Sequence, residues 1–169
     1  MNYECVQGDI SKQKDIEAIV NAANARLQSG GGVAGAIHRQ AGPELAKAGQ
    51  ELAPIEPGQA VITNAFNLPN DYVIHCLGPV YGRDEPADQL LADCYRNALD
   101  LTEKHKIESI AFPAISTGAF GFPFEQATDI ALNSLAEHVS KLSHLKTIRF
   151  VLFSDEDYQH YQNALAKTL

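Results

Sequence analysis

Polar and apolar residues alternate over Tyr3–Gly8, which predicts a strand ending at Gly8. Asp9 and Ile10 stand at its exit, and the polar turn Ser11-Lys12-Gln13-Lys14 follows. Glu17–Ala23 is a short apolar run of the kind a buried strand presents. Val33–Ala41 has helical character, and Pro43–Glu51 reads as a second short helix with proline at its start. Gln59–Ala65 and Tyr72–Leu77 are β-prone runs on either side of the turn residues Pro69, Asn70 and Asp71, close enough in sequence to pair antiparallel. Ala87, Leu90, Leu91, Cys94, Ala98 and Leu101 fall on one helical face. Ser109–Ala114 is a short strand, and Ala127, Ile130, Ala131, Leu135, Val139 and Leu142 form another helical stripe. Thr147–Phe153 is strongly β-prone. Ser154 caps a last helix with acids in its first turn and with Tyr158, Tyr161, Ala164 and Leu165 inward. The sum is about six strands and five helices in alternation. It predicts an α/β fold, a three-layer α/β/α sandwich around a mixed, mostly parallel sheet, in a single domain over residues 1–169.

From the end of the second strand through the first helix runs Asn21–Gly42, NAANARLQSGGGVAGAIHRQAG. Three adjacent glycines, Gly30 to Gly32, cost backbone entropy on ordering and suit a place where amides must approach a guest closely. A helix beginning directly behind them adds free N–H groups and a positive dipole end, so the expected guest is an anion such as phosphate. Ile115–Pro123 is a second glycine-bearing loop. Both loops, together with Asp9-Ile10 and Phe153-Ser154, follow predicted strands. In open α/β sheets ligands sit beyond the carboxyl ends of the strands, so four distant segments are expected to converge on one crevice.

Charge sharpens this picture. The formal net charge of −8, with no basic stripe, makes a nucleic-acid partner an unsuitable reading and leaves an anionic ligand to backbone amides and helix dipoles. Three scattered cysteines, Cys5, Cys76 and Cys94, suit reduced thiols and a cytoplasmic location. No apolar run reaches transmembrane length, and the first residues do not resemble a signal peptide.

Known motifs narrow the chemistry by failing. Gly30–Gly35 matches GxGxxG, but Asn24–Ser29 separate it from the preceding strand, and a proline-rich break replaces the next strand with its acid. There is no GxxxxGK[ST], and Ser116 is not in a GxSxG elbow. The six histidines have no HExxH or CxxC context, so no metal or cofactor is expected. His75 beside Cys76 reads as a satisfied core pair.

Gly8-Asp9-Ile10, Ala18–Asn24, Gly30–Arg39, Ala41-Gly42, Tyr72–His75, Gly78-Pro79 and Phe112–Gly121 together resemble the macrodomain family. The resemblance spans nearly the whole chain and is nearest to the bacterial MacroD-like branch. That branch binds ADP-ribose, removes it from mono-ADP-ribosylated proteins and deacetylates O-acetyl-ADP-ribose. The resemblance implies that Asp9 accepts a hydrogen bond from the adenine amino group, with Ile10 beside it and Phe153 flanking the ring. It places Asn24 on the distal ribose hydroxyls, Gly32, Val33 and Ala34 in the first phosphate loop, and Ser116, Thr117, Gly118, Ala119 and Phe120 in the second. Phe120 lies against the distal ribose, and Asn24 and Phe120 are the implied catalytic positions. A carboxylate suits an exocyclic amine, and a carboxamide suits a cis-diol, since it can both donate and accept. Residue by residue, Asp9 could equally be a turn former, Asn24 an Asx-turn former and Phe120 core.

The chain departs from that branch at Ala34. The MacroD-like pattern is Gly-Gly-Gly-Val-Asp-Gly, and its aspartate is assigned to the attacking water. A methyl group stands there in this chain, so the expected general base is missing. Other branches, including viral ones, resemble Gly-Gly-Gly-Val-Ala-Gly and still look like hydrolases, with substrate phosphate and loop amides orienting the water. The expected function is therefore ADP-ribose binding with hydrolysis of ADP-ribose conjugates. The alternative is a non-catalytic ADP-ribose reader.

Overall fold

The computed structural model describes every residue from Met1 to Leu169. Six strands form one sheet: β1 (Asn2–Gln7), β2 (Ala18–Ala22), β3 (Ala60–Asn64), β4 (Tyr72–Cys76), β5 (Ser109–Phe112) and β6 (Thr147–Leu152). Their spatial order is β1-β6-β5-β2-β4-β3. Every neighbouring pair is parallel except β3 with β4, which run antiparallel, as their short connection requires. Five helices cover the sheet: α1 (Gly32–Ala41), α2 (Glu44–Leu52), α3 (Ala87–Lys104), α4 (Phe124–His138) and α5 (Asp155–Thr168).

The side-chain period of two divides the strands between two cores. Ala18, Val20, Ile74, Cys76, Ile110, Phe112, Ile148 and Phe150 pack with buried residues of α3, α4 and α5, among them Leu91, Leu99, Leu132, Leu135 and Tyr161. Their neighbours Ile19, Val73, Ala111 and Val151 pack on the other face with Ile37 and Ala41 of α1 and Leu45 of α2. Both faces of the sheet are thus covered, and the three-layer sandwich expected from the alternation is the observed fold.

One expected helix ends early. The apolar stripe from Ala127 to Leu142 continues, but α4 stops at His138 and Val139–Lys141 tightens into a 3-10 turn. Such tightening is common where a last turn must offer its carbonyls a nearer donor, and here the Leu142 amide donates to the Val139 carbonyl. The buried His75 behaves as the core reading expects. Asn21 Nδ2 lies 3.1 Å from its Nδ1, and Thr63 Oγ1 lies 3.0 Å from its Nε2. With the Asn21 amide donating, His75 is the neutral tautomer carrying its proton on Nε2. The Thr63 hydroxyl accepts that proton's bond and donates onward to the Asn64 carbonyl.

Candidate functional site

Five parallel strands, β1, β6, β5, β2 and β4, open their carboxyl ends on the same side. The loops that leave them enclose a two-lobed crevice. The first lobe, about 360 Å³, is walled by Asn24, Gly30–Ala34, Gly78 and Ser116 with Gly118–Phe120. The second, about 460 Å³, is walled by Asp9, Ile10, Arg39, Thr117, Phe153 and Asp157. The lobes share Gly32, Val33, Ala114 and Gly118, so they form one continuous cleft with a waist between the two glycine loops.

The waist is built of backbone. Gly31 is extended and caps α1, and Gly32 begins the helix with φ +57°, a left-handed conformation open to glycine at low cost. The first-turn amides of Gly32, Val33 and Ala34 have no acceptor within the helix and none elsewhere in the protein. The facing loop repeats the arrangement. The amides of Gly118, Ala119 and Phe120 are likewise without protein acceptors, while those of Gly121 and Phe122 are tied back to the Gly118 and Ser116 carbonyls. Two fans of free N–H groups therefore face one waist, one of them at the positive end of a helix dipole. Such an arrangement can hold an anion without a lysine.

Gly35, inside the start of α1, is required by packing. A β-carbon there would collide with the Gly30 carbonyl, so the helix can fold the loop across its own start only with glycine at this position. Ser116 holds a left-handed φ of 68° although it is not glycine, and its buried hydroxyl donates to the Pro79 carbonyl at 2.8 Å.

At the end of the second lobe, Asp9 Oδ1 accepts from the Ser11 amide at 2.9 Å and the Ser11 hydroxyl at 2.6 Å, capping the short turn Ile10–Lys12. The Ser11 hydroxyl is the main reason its carboxyl is held below the usual carboxylate range. The turn-forming reading of Asp9 is thus realised, yet its second oxygen and the Ile10 amide remain unpaired at the cleft. They set an acceptor beside a donor. Phe153 stands over this lobe with 89% of its surface exposed, an unusual state for an aromatic side chain with nothing to cover.

At the end of the first lobe, Asn24 likewise combines two roles. Its Oδ1 accepts from the Gln28 amide at 3.1 Å and its Nδ2 donates to the Gln28 carbonyl at 2.9 Å, which fixes the carboxamide plane. One amide hydrogen and one lone pair are left for the lobe. Ala34, buried at 6% exposure, presents its methyl group to the same lobe. No residue of this lobe's wall carries a titratable side chain.

All twelve candidate residues line this one cleft. The sequence gives no signal for Asp157 as a wall residue, and Gly78 and Arg39 enter it only as members of the family motifs. The first turn of α5 brings in Asp157, whose amide is capped by Ser154 Oγ at 3.1 Å. Nothing in the chain's pattern announces which flank of a helix faces a cleft formed by other segments.

Residues 20–131 match the family model of the Macro domain. The chain belongs to the macro domain family. This macro domain is 46% identical over 164 residues to a macro domain-containing protein of Methanosarcina mazei, covering 96% of this chain and 87% of that one. It is 44% identical over 167 residues to an O-acetyl-ADP-ribose deacetylase of Cronobacter turicensis, covering 96% and 94%. Among solved structures, the Oceanobacillus iheyensis macrodomain with ADP superposes with a TM-score of 0.90 at 42% identity, over 96% of this chain and 89% of that one. The Trypanosoma brucei macrodomain in complex with ADP-ribose gives 0.90 at 35%, over 97% and 69%. No helix of this macro domain is long and apolar enough to cross a membrane.

Proposed function

We propose that this macro domain binds ADP-ribose and hydrolyses its conjugates, the ester of O-acetyl-ADP-ribose and the link to a mono-ADP-ribosylated protein. The observation that carries the reading is the waist of free amides between two unlike lobes. A diphosphate fits the waist. Adenine fits the Asp9 end, where a carboxylate oxygen and the Ile10 amide stand beside each other as an exocyclic amine and a ring nitrogen require, with Phe153 against the ring. The distal ribose fits the Asn24 and Phe120 end, where a carboxamide can serve a cis-diol. Relatives named or solved with O-acetyl-ADP-ribose deacetylase, ADP and ADP-ribose support the ligand class. The working unit is the single domain of residues 1–169, in a reducing cytoplasm that suits three free thiols.

In this scheme Asn24 and Phe120 place the ribose, and the amides hold the neighbouring phosphate so that its oxygen orients the attacking water. Positioning of this kind supplies much of a barrier reduction without a protein base. Without an acid at Ala34, turnover is slow, and esters of acidic side chains are favoured because a leaving carboxylate needs little protonation. One observation favours the second reading, a non-catalytic reader: the absence of any titratable side chain around the first lobe. Single-turnover incubation with a mono-ADP-ribosylated protein and with O-acetyl-ADP-ribose separates the two. Release above the buffer rate is expected. Normal ADP-ribose binding by calorimetry with no release establishes the reader instead.

A further inference from the structure

The loop after β4 is the fifth to reach the cleft, and it is fastened to the second glycine loop along its length. Gly78 lies so close to Ser116 and Ile115 that any β-carbon on it would collide with both. Ser116 Oγ donates to the Pro79 carbonyl at 2.8 Å, and the Tyr81 amide donates to the Phe120 carbonyl at 2.8 Å. The Tyr81 ring packs on Phe122 at a centroid distance of 4.9 Å. The loop is in turn closed on itself. Asp84 Oδ2 accepts from the Val80 amide at 2.8 Å, and the Asp84 and Arg83 amides return to the Val80 carbonyl at 2.9 and 3.1 Å. Gly82 makes the reversal with φ +83°. The Val80 amide is the leading cause holding the Asp84 carboxyl below the usual carboxylate range.

We propose that residues 78–84 form a strap that positions Phe120 and the amides of 118–120, with Asp84 as its clasp. Phe120 sits on a glycine-flanked segment whose own internal ties are the Gly121 and Phe122 amide bonds. What aims the segment at the lobe from outside is the Tyr81 amide and the Tyr81 ring. Those are in place because the Asp84 carboxylate holds the turn 80–84 shut. Asp84 and the Tyr81 side chain do not line either lobe, so both act through Phe120. The two ends of the cleft are therefore independently supported: the Asp9 end by the turn Ile10–Lys12, and the Phe120 end by the strap.

The test compares Asp84→Ala with Asp84→Asn, whose side-chain oxygen can still accept from the Val80 amide, and with Tyr81→Ala. Amide hydrogen exchange by NMR is read first, without ligand. Asp84→Ala should raise exchange of the Tyr81 amide and of those at 121 and 122 at least tenfold over the parent, while amides of β1 and β6 stay protected. Affinity is read next by calorimetry, with AMP as probe of the Asp9 end and ADP-ribose as probe of the whole cleft. Asp84→Ala and Tyr81→Ala should weaken ADP-ribose several-fold and weaken AMP, which does not reach the Phe120 end, distinctly less. Asp84→Asn should restore most of the loss. The kinetic arm alone rests on the hydrolase reading: single-turnover release should fall more than tenfold in Asp84→Ala at saturating protein. Unchanged exchange at residues 81, 121 and 122 overturns the strap, whatever the parent hydrolyses. So does an equal loss of AMP and ADP-ribose, or an Asp84→Asn variant as impaired as Asp84→Ala. Should Asp84→Ala fail to fold, Tyr81→Ala and Asp84→Asn carry the same comparisons.

Discussion

Asp9 carries two tasks with two oxygens. One caps the turn Ile10–Lys12 and the other faces the cleft. Asp9→Ala should therefore weaken ADP-ribose binding by about 1–3 kcal/mol, the usual cost of deleting one partner of a polar contact, and loosen the turn as well. Asp9→Asn separates the effects: its side-chain oxygen can still cap, but its affinity should fall if the cleft needs an acceptor there. Calorimetry with ADP-ribose measures the first effect and thermal unfolding the second. Ala34 is the other decisive residue. Its methyl group is buried in the first turn of α1, where a carboxylate would meet the helix's positive end. Ala34→Asp should raise the single-turnover rate of release, toward the roughly 10²–10⁴-fold that a placed base supplies. The parent's rate should show no pH limb from a side chain of the first lobe, since none there titrates. The variant should gain a limb on the acid side. A variant slower than the parent would mean that the water is held from another direction.

At the scale of elements, α1 and the glycine loop are one object. Gly35→Ala would drive a methyl group into the Gly30 carbonyl, so the loop must swing outward or the helix must shift. The expected cost is about 1–3 kcal/mol in urea unfolding, as for other overpacked sites, with a larger proportional loss of ADP-ribose affinity because the waist amides move. Gly31→Ala meets open space and should do neither to the same degree. This contrast marks how far the sequence was legible. The elements themselves follow from their patterns, since β2 is a short, mostly apolar run buried on both faces and α3 and α4 carry clean stripes. The two loops stand out because glycine clusters have few other uses. Partnership between elements is another matter. β1 lies beside β6, 145 positions away in the Asn2–Thr147 register, and no local pattern encodes such a pairing. For the same reason the sequence gives the loop after β4 no role beyond Gly78-Pro79 as part of a family motif. Its importance lies in contacts with residues 115–122, which exist only after the crossover. Arg39 and Asp157 were hidden likewise, as one flank of a helix becomes a wall only when the other elements arrive.

At the scale of the whole molecule, the second core contains a polar seam. Asn21, His75 and Thr63 bridge β2, β4 and β3 in line, and burial pushes the His75 imidazole down to about 3. His38, also buried, is lowered in the same sense. An unfolded histidine titrates near 6.5. Between about 6.5 and 3 the unfolded chain binds a proton that the folded His75 refuses, so stability is full above that window and declines as the pH falls through it. The expected slope from His75 is about 1 kcal/mol per pH unit, read by urea unfolding at pH 7, 6 and 5. His75→Gln, though less stable throughout, should show a shallower slope. An identical slope would assign the acid sensitivity elsewhere. The strand order has a consequence of its own. The Asp9 end lies over β1 and β6, and the Asn24 end lies over β2 and β4, with β5 between. From β1 to β2 is three strand spacings, about 14 Å at the usual 4.8 Å repeat. The sheet is therefore a ruler laid across the cleft. The length of molecule that can touch both ends at once is set by the count of hydrogen-bonded rungs between them, and no substitution of a wall residue can change that count.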